Sequence, residues 1–371
     1  MNEIKKREAR VIAFYLPQFH PIPENDEWWG KGFTEWTNVG KAKSFYKGHY
    51  QPRIPADLGY YDLRVPETRQ AQADMAREYG LEGFAYWHYW FGNGKRLLER
   101  PFNEVLNSGE PNFPFCLAWA NETWKGFNHG LTNRNLLIEQ LYPGDKDYTN
   151  HFYSVLPAFK DSRYITVDGN PIFIIYKPYQ LPNASHFITL WQKLAQQNGL
   201  QKIHFIAHLQ FPSENKKSEK ESYDEMLSFG FDAVNFVRLA VFIQHRSFID
   251  RLIGKINKTY RGIPFSYPYK KIIPFLTNSI DKSENVYPSI IPGWDHSPRS
   301  GKEGLIITNS TPELFGNHVE QVMSEITQKP IEKRLIFLKS WNEWAEGNYM
   351  EPDLVWGHQY LENLKRYIEK K

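Results

Sequence analysis

The chain has 371 residues, 45 basic and 42 acidic, for a formal net charge of +3, and is 41% hydrophobic and 16% aromatic. Near-balanced charge argues against a nucleic-acid binder, and so apolar a chain is not globally disordered. The single cysteine, Cys116 in Phe113-Pro-Phe-Cys-Leu-Ala, excludes an intramolecular disulfide and a cysteine-based zinc site and reads as a buried structural thiol.

Residues 1–9 form a polar tail, and the apolar run that follows, 11–16, is too short for a signal-peptide core or a membrane span. The expectation is a cytoplasmic protein with one domain over 10–371. Eight β-rich runs follow in order: 11–15, 83–89, 115–119, 172–176, 203–209, 233–237, 287–292 and 335–338. Most are continuous apolar stretches, as strands covered on both faces should be. Helices are predicted between them. Pro66-Glu67 opens one that Gly80 ends, and Ser185 caps a helix over 187–197. Thr311-Pro312-Glu313 starts another, and a last one over 359–369 puts Leu361, Leu364 and Ile368 on one face. This alternation predicts an α/β fold, a single (β/α)8 barrel of the TIM type with extended βα loops. An open doubly wound sheet is the alternative, and no Gly-x-Gly-x-x-Gly follows the first strand to support it.

Two segments depart from the pattern. The polar stretch 212–225 reads as a loop above the barrel. The stretch 241–280 is basic and aromatic, with seven Lys or Arg against Asp250 alone. Within it Phe248, Ile249, Leu252, Ile253 and Ile256 share a helical face beside Arg251, Lys255 and Lys258. That pattern reads as the outer helix of a barrel repeat with a solvated basic face; peripheral contact with an anionic membrane is the alternative.

Polar and aromatic residues gather where the strands end. They run Tyr15, Gln18 and His20; then Tyr86, Trp87, His88 and Tyr89; then Trp119, Asn121, Glu122 and Trp124. Tyr176, His208, Asn235 and the run Trp294-Asp295-His296 follow, and Trp341, Asn342, Glu343, Trp344, Glu346 and Tyr349 close the series. Aromatic platforms, hydrogen-bonding amides and imidazoles, and a few carboxylates make up a sugar-binding set. Glu343 and Glu346 are the candidate catalytic pair, because cleaving a glycosidic bond takes one carboxyl to protonate the leaving oxygen and one as base or nucleophile. Trp341, Trp344 and Tyr349 are the expected wall that desolvates Glu346. Glu122 is a rival acid, read as substrate-binding. The histidines read as hydrogen-bonders: His204 and His208, four residues apart on a strand, lie about 13 Å apart, too far to share a metal. No metal or cofactor is predicted. Asp145-Lys-Asp147 reads as a turn and helix cap rather than a nucleotide-metal site.

The motifs Tyr15-Leu-Pro-Gln-Phe-His20, Trp119-Ala-Asn-Glu122 and Trp341-Asn-Glu-Trp-Ala-Glu-Gly347 resemble the WbsX-like family of surface-polysaccharide gene clusters, itself similar to glycoside hydrolase family 99. The run from Trp28 through Trp36 to Asn38 fits as well, and the likeness covers nearly the whole chain. The resemblance implies a barrel acting on a polysaccharide or oligosaccharide in the manner of a retaining endo-α-mannosidase. It implies Glu343 as base toward the sugar 2-hydroxyl and Glu346 as general acid and base, with Gly347 and Glu351-Pro352 at the family's positions. Ala345 stands where those mannosidases usually carry histidine. A glycosyltransferase of O-antigen or capsule synthesis and a non-catalytic carbohydrate-binding barrel are the alternative readings.

Overall fold

A computed structural model describes residues 7–126, 135–213 and 215–369. The predicted strands are present as β1 (Arg10–Tyr15), β2 (Gly83–Trp90), β3 (Phe115–Trp119), β4 (Asn170–Ile175), β5 (His204–Gln210), β6 (Ala233–Val237), β7 (Val286–Ile290) and β8 (Leu335–Leu338). Each pairs in parallel with the next, from Ile12 opposite Gly83 through Phe84 opposite Phe115 to Ser289 opposite Phe337. β8 then pairs with β1, Leu335 opposite Arg10, and closes the ring. The fold is therefore a closed parallel (β/α)8 barrel, the only arrangement that leaves none of these strands an open edge. Gly83 is fixed by this packing: a Cβ there would lie 2.2 Å from the Pro114 carbonyl oxygen.

Alternation along each strand divides the side chains between two cores. Inside the barrel, Phe14 stacks on Trp87 (4.6 Å between centroids) and meets Phe337 and the edge of His208. Outside it, the neighbouring residues face the helices. The Tyr15 hydroxyl donates to Gln72 of α1 (Pro66–Glu78), and Tyr86 packs on Phe102 of α2 (Arg100–Ser108).

The other long helices among the described residues are α3 (Asp145–Phe159), α4 (Ala184–Gln197), α5 (Glu219–Ser228), α6 (Phe248–Arg261), α7 (Pro312–Ile326) and α8 (Gln359–Ile368), and shorter ones such as Glu35–Gly40 and Ser297–Ser300 lie in the loops. Thr311 caps α7 as expected. α4 is capped by Asn183 rather than Ser185: Asn183 sits at φ 48° and its side chain accepts from the His186 amide. Asparagine tolerates that left-handed backbone better than serine does. Asp145 and Asp147 lie in the first turn of α3, after the cap Gly144. Asp147 accepts from Trp90 Nε1 at 3.0 Å and Asp145 pairs with His186 at 2.7 Å, so the two acids serve different contacts.

The polar stretch 212–225 is only partly loop. Ser218 and Glu221 form a reciprocal capping box that opens α5, a Ser-x-x-Glu signal sufficient to start a helix in polar sequence. The stretch 241–280 also differs from its expected form. α6 does not cover the barrel wall. The turns Tyr269–Ile272 and Ser279–Lys282 bury Tyr269, Ile272 and Asp281, and the second packs on β7 and α7. α6 instead rests by Gly254 on Phe265 and Tyr267. Those two belong to a short strand, Phe265–Pro268, paired in parallel with Leu305–Thr308. The apolar face of α6 is thereby left outward. Among the described residues no helix is long and apolar enough to cross a membrane.

Candidate active site

Glu343 and Glu346 sit on a tight hairpin after β8. Asn342–Glu343 pairs antiparallel with Asn348–Tyr349, and a 3-10 turn, Trp344–Glu346, joins them through Gly347. Gly347 has φ 56°, and a Cβ on it would lie 2.8 Å from Asp295 Cβ, so no other residue fits. Ser340 Oγ accepts from the Glu343 amide at 3.0 Å. Asn342 clamps the backbone of Leu16 at both ends, accepting from its amide at 2.8 Å and donating to its carbonyl at 3.0 Å. Asn121 does the same across the barrel, gripping the Lys177 amide at 2.8 Å and carbonyl at 3.0 Å. Each asparagine staples a neighbouring strand end, and the glutamate after it, Glu343 or Glu122, faces the cleft. Asn342→Ala should therefore leave a buried Leu16 donor unsatisfied and cost about 1–3 kcal/mol. An unchanged denaturant midpoint in that variant would contradict this role.

Below the hairpin, Glu351 accepts from Tyr61 (2.8 Å), Gln72 (2.6 Å) and Trp344 Nε1 (2.6 Å). Burial pushes its carboxyl up to about 7 against the pull of these hydrogen bonds. From the side, the Asp295 amide donates to the Glu346 carbonyl at 2.6 Å. Burial alone would raise the Asp295 carboxyl, but hydrogen bonds from His49, Ser297 and Gln51 and the Arg53 charge hold it at about 2.

The two candidate acids meet on one guanidinium. Arg299 Nη2 is 3.0 Å from Glu343, Nη1 is 2.5 Å from Glu346, and Nη2 also lies 3.1 Å from Glu35. Burial would lower the Arg299 pKa, but the charges of Glu35, Glu346 and Glu343 outweigh it and raise it. The Glu343 carboxyl is pushed up to about 7, first by burial and then by Glu346, while Arg299 and Lys339 pull the other way. His296 Nε2 stands 3.8 Å from Glu346 and its Nδ1 meets Ser300 Oγ at 2.7 Å. Burial lowers its pKa despite Glu346, which favours neutral imidazole. Lys339 lies over the Trp294 ring at 5.4 Å.

These groups line a cleft of about 350 Å³ at the carboxyl ends of the strands, within the size range of small-ligand sites. Of the residues singled out from sequence, Gln18, Trp87, Tyr89, Glu122, Trp124, Tyr176, Trp294, Glu343 and Glu346 line it. Burial raises the Tyr89 and Tyr176 hydroxyls well above the ordinary tyrosine range, keeping both protonated as donors.

The others do not line it. Tyr15, Tyr86, His88 and Trp119 occupy outward strand positions: His88 meets His151 at 2.8 Å, and Trp119 Nε1 donates to the Trp90 carbonyl. His20 Nδ1 lies 3.0 Å from the Pro17 carbonyl, and Trp36 Nε1 donates to the Tyr61 carbonyl. Asn121 and Asn342 are the strand staples. His208 and Asn235 are buried inside the barrel: His208 packs on Phe14 and Tyr176 with its pKa pushed down to about 3 by burial, and Asn235 donates to the Tyr287 carbonyl and Ser289. Trp341 is buried against Phe84, and Trp344 stacks on Tyr349 at 3.8 Å. The expected wall of Trp341, Trp344 and Tyr349 is thus part of the hairpin's underside, and the cleft's aromatic wall comes from β2, β4 and β7 instead.

Glu35, Gln210, Arg299 and Lys339 were not among the sequence candidates, whereas His296 stood in the strand-end run with Trp294. Lys339 follows directly on β8, which was a usable signal, and His296 lies in the loop after β7, two residues past Trp294. Arg299, in Ser297-Pro298-Arg299, and Glu35, beside Trp36, carry no local mark; only the closed ring brings them together.

The model of the family described as "Glycosyltransferase WbsX" matches residues 11–364. Two Xanthomonas campestris pv. campestris proteins, both "Uncharacterized protein WxcX", from strains B100 and ATCC 33913, are 34% identical over 364 residues. That match covers 98% of this chain, and the chain spans 50% of the relatives' length. Among solved structures, a "Glycoside hydrolase-like protein" superposes with a TM-score of 0.63 at 14% identity, covering 99% of this chain and 96% of that one. The GH99 endo-alpha-mannosidase of Bacteroides thetaiotaomicron superposes at 0.56, with 14% identity and 97% and 96% coverage. At such identity these likenesses establish the shared barrel alone. With a family model spanning almost all its residues and relatives at one-third identity along its length, the chain belongs to the WbsX family.

Proposed function

We propose that this chain is a carbohydrate-active enzyme that cleaves or transfers a glycosidic bond in a surface polysaccharide or related glycan, with retention of configuration. One observation carries the reading: Glu343 and Glu346 converge on a single arginine in an aromatic cleft at the catalytic end of a barrel. Glu343 takes the proton of the sugar 2-hydroxyl, and O2 attacks the anomeric carbon. Glu346 gives its proton to the departing glycosidic oxygen, so a 1,2-anhydro sugar and a free alcohol result. Glu346 then takes a proton from the incoming water or sugar hydroxyl, which opens the anhydro ring, and Glu343 returns the proton to O2. A carboxyl near 7 suits Glu343 to this exchange, because a base works best with a pKa close to the working pH. Trp87, Tyr176 and Trp294 supply sugar-stacking faces, and Gln18 and Glu122 supply hydrogen bonds to hydroxyls.

The transferase reading has the matched family's description in its favour. The chain's own Asp-x-Asp triplet does not favour it, since Asp147 and Asp145 are engaged by Trp90 and His186 away from the cleft. Incubation with α-mannans and bacterial surface polysaccharides, read by reducing-end release and NMR of the first anomer formed, tests the proposal. Cleavage with an α product from an α linkage is expected. A β product would contradict the anhydro route. Turnover of sugar nucleotides with Mn²⁺, and of no glycan, would replace hydrolysis with transfer.

A further inference from the structure

α6 carries six large apolar side chains in solvent: Phe248 (79% exposed), Ile249 (65%), Leu252 (47%), Ile253 (51%), Ile256 (42%) and Tyr260 (83%). At 100° per residue they fall within about 140° of the helix circumference. Opposite them, Gly254 is the one buried position of α6, seated on the Phe265 ring. The helix is therefore docked by its narrow glycine side and presents its apolar stripe away from the protein, the reverse of an ordinary barrel helix.

Charge borders that stripe on one side. Arg251 and Lys255 follow its edge, and neither has a carboxylate partner among the described residues. The nearby acids are taken, Asp250 by Lys271 and Glu303 by Lys258. Arg261 and Lys270 add positive charge to a segment of seven basic residues and one acid. A scattered exposed leucine needs no explanation, but a contiguous apolar face of this kind marks an interaction site. A helix with an apolar face, a basic flank and aromatic residues at its ends is built to lie in the plane of a lipid headgroup layer. A second copy of the chain would bring its own cationic flank to the contact, whereas an anionic lipid surface complements it.

The place of α6 in the fold gives the contact a purpose. Leu239 and Ala240, in the loop after β6, line the cleft, and α6 begins eight residues beyond Ala240. The helix therefore extends from the rim on which the candidate acids open.

We infer that α6 docks the catalytic end of the barrel on an anionic membrane surface, so that the cleft meets a glycan carried at that surface. The docking itself is independent of the chemistry proposed above, because its test reads binding and not turnover. The full chain is sedimented with vesicles of equal parts phosphatidylglycerol and phosphatidylcholine at low salt, and with phosphatidylcholine alone. Pelleting with the anionic vesicles only, weakened by added salt, is expected. Arg251→Gln with Lys255→Gln should weaken it by about fivefold for each charge removed. Phe248→Ser with Ile249→Ser and Tyr260→Ser should abolish it, while the melting temperature changes little because these side chains are already 65–83% exposed. If the triple variant folds poorly, the double charge variant still decides. No binding to anionic vesicles, equal binding to neutral ones, or a dimer that the triple variant disperses while vesicles go unbound would each overturn the inference.

Discussion

Glu343→Gln and Glu346→Gln are each expected to lower turnover of a cleavable glycan by about 10²- to 10⁴-fold, the usual contribution of a positioned acid or base. Both changes keep the side chain's size and leave an oxygen to accept from Arg299, so the cleft should hold its shape and substrate binding should change little. The loss would then fall on kcat. The pH profile separates the two roles. As the proposed base, Glu343 would act ionised, and its carboxyl is pushed up to about 7 by burial and by Glu346. Activity should therefore decline as pH falls through about 7, where Glu343 takes up its proton. That acidic limb should be missing from whatever residual rate Glu343→Gln retains. Wild-type turnover in either variant would dismiss that residue from the chemistry, and a profile flat from pH 5 to 8 would dismiss Glu343 as the base.

Arg299→Ala should act on stability and on the pH profile together. One guanidinium, 10% exposed, contacts Glu35, Glu343 and Glu346 at 2.5–3.1 Å. Removing one partner of a buried ionic cluster costs about 3–5 kcal/mol, because the remaining charges stay buried without compensation. The sign of the pH dependence follows. The Glu343 carboxyl is already harder to ionise in the folded chain than in the unfolded one, and without Arg299 it becomes harder still, so the folded state binds more protons. The destabilisation should be largest at alkaline pH, where Glu343 is ionised, and shrink as pH falls through its raised pKa. The acidic limb of activity should move to higher pH, since one of the two charges that favour ionised Glu343 is gone. Arg299→Lys should recover part of the stability but not the geometry, because an ammonium cannot present two parallel donors to two acids. An Arg299→Ala protein with an unchanged denaturant midpoint and an unmoved limb would remove Arg299 from both roles.

The contrast between cleft residues and misplaced ones has a single physical origin. β2 reads Gly83-Phe-Ala-Tyr-Trp-His-Tyr-Trp90 and is buried along its whole length. A strand covered on both faces shows no polar alternation, so sequence marks its end but not which of its side chains turn inward. Trp87 and Tyr89 face the barrel axis, whereas Tyr86 and His88, one residue away, face the helices. The same half-turn separates the outward Tyr15 from the inward Phe14.

Sequence alone was enough for the eight strands and their order, most helix starts, and the two glutamates after the last strand. Those features are written locally, in continuous apolar runs, in capping residues, and in a short motif closed by a glycine that no other residue can replace. The inward or outward aim of each strand residue, the gathering of Glu35, Arg299, Glu343 and Glu346 from three separate loops, and the outward turn of the α6 apolar face were decided only by tertiary structure. The first two depend on ring closure, which fixes strand rotation and sets loops far apart in the chain side by side, and the third depends on the close seat that Gly254 finds on Phe265.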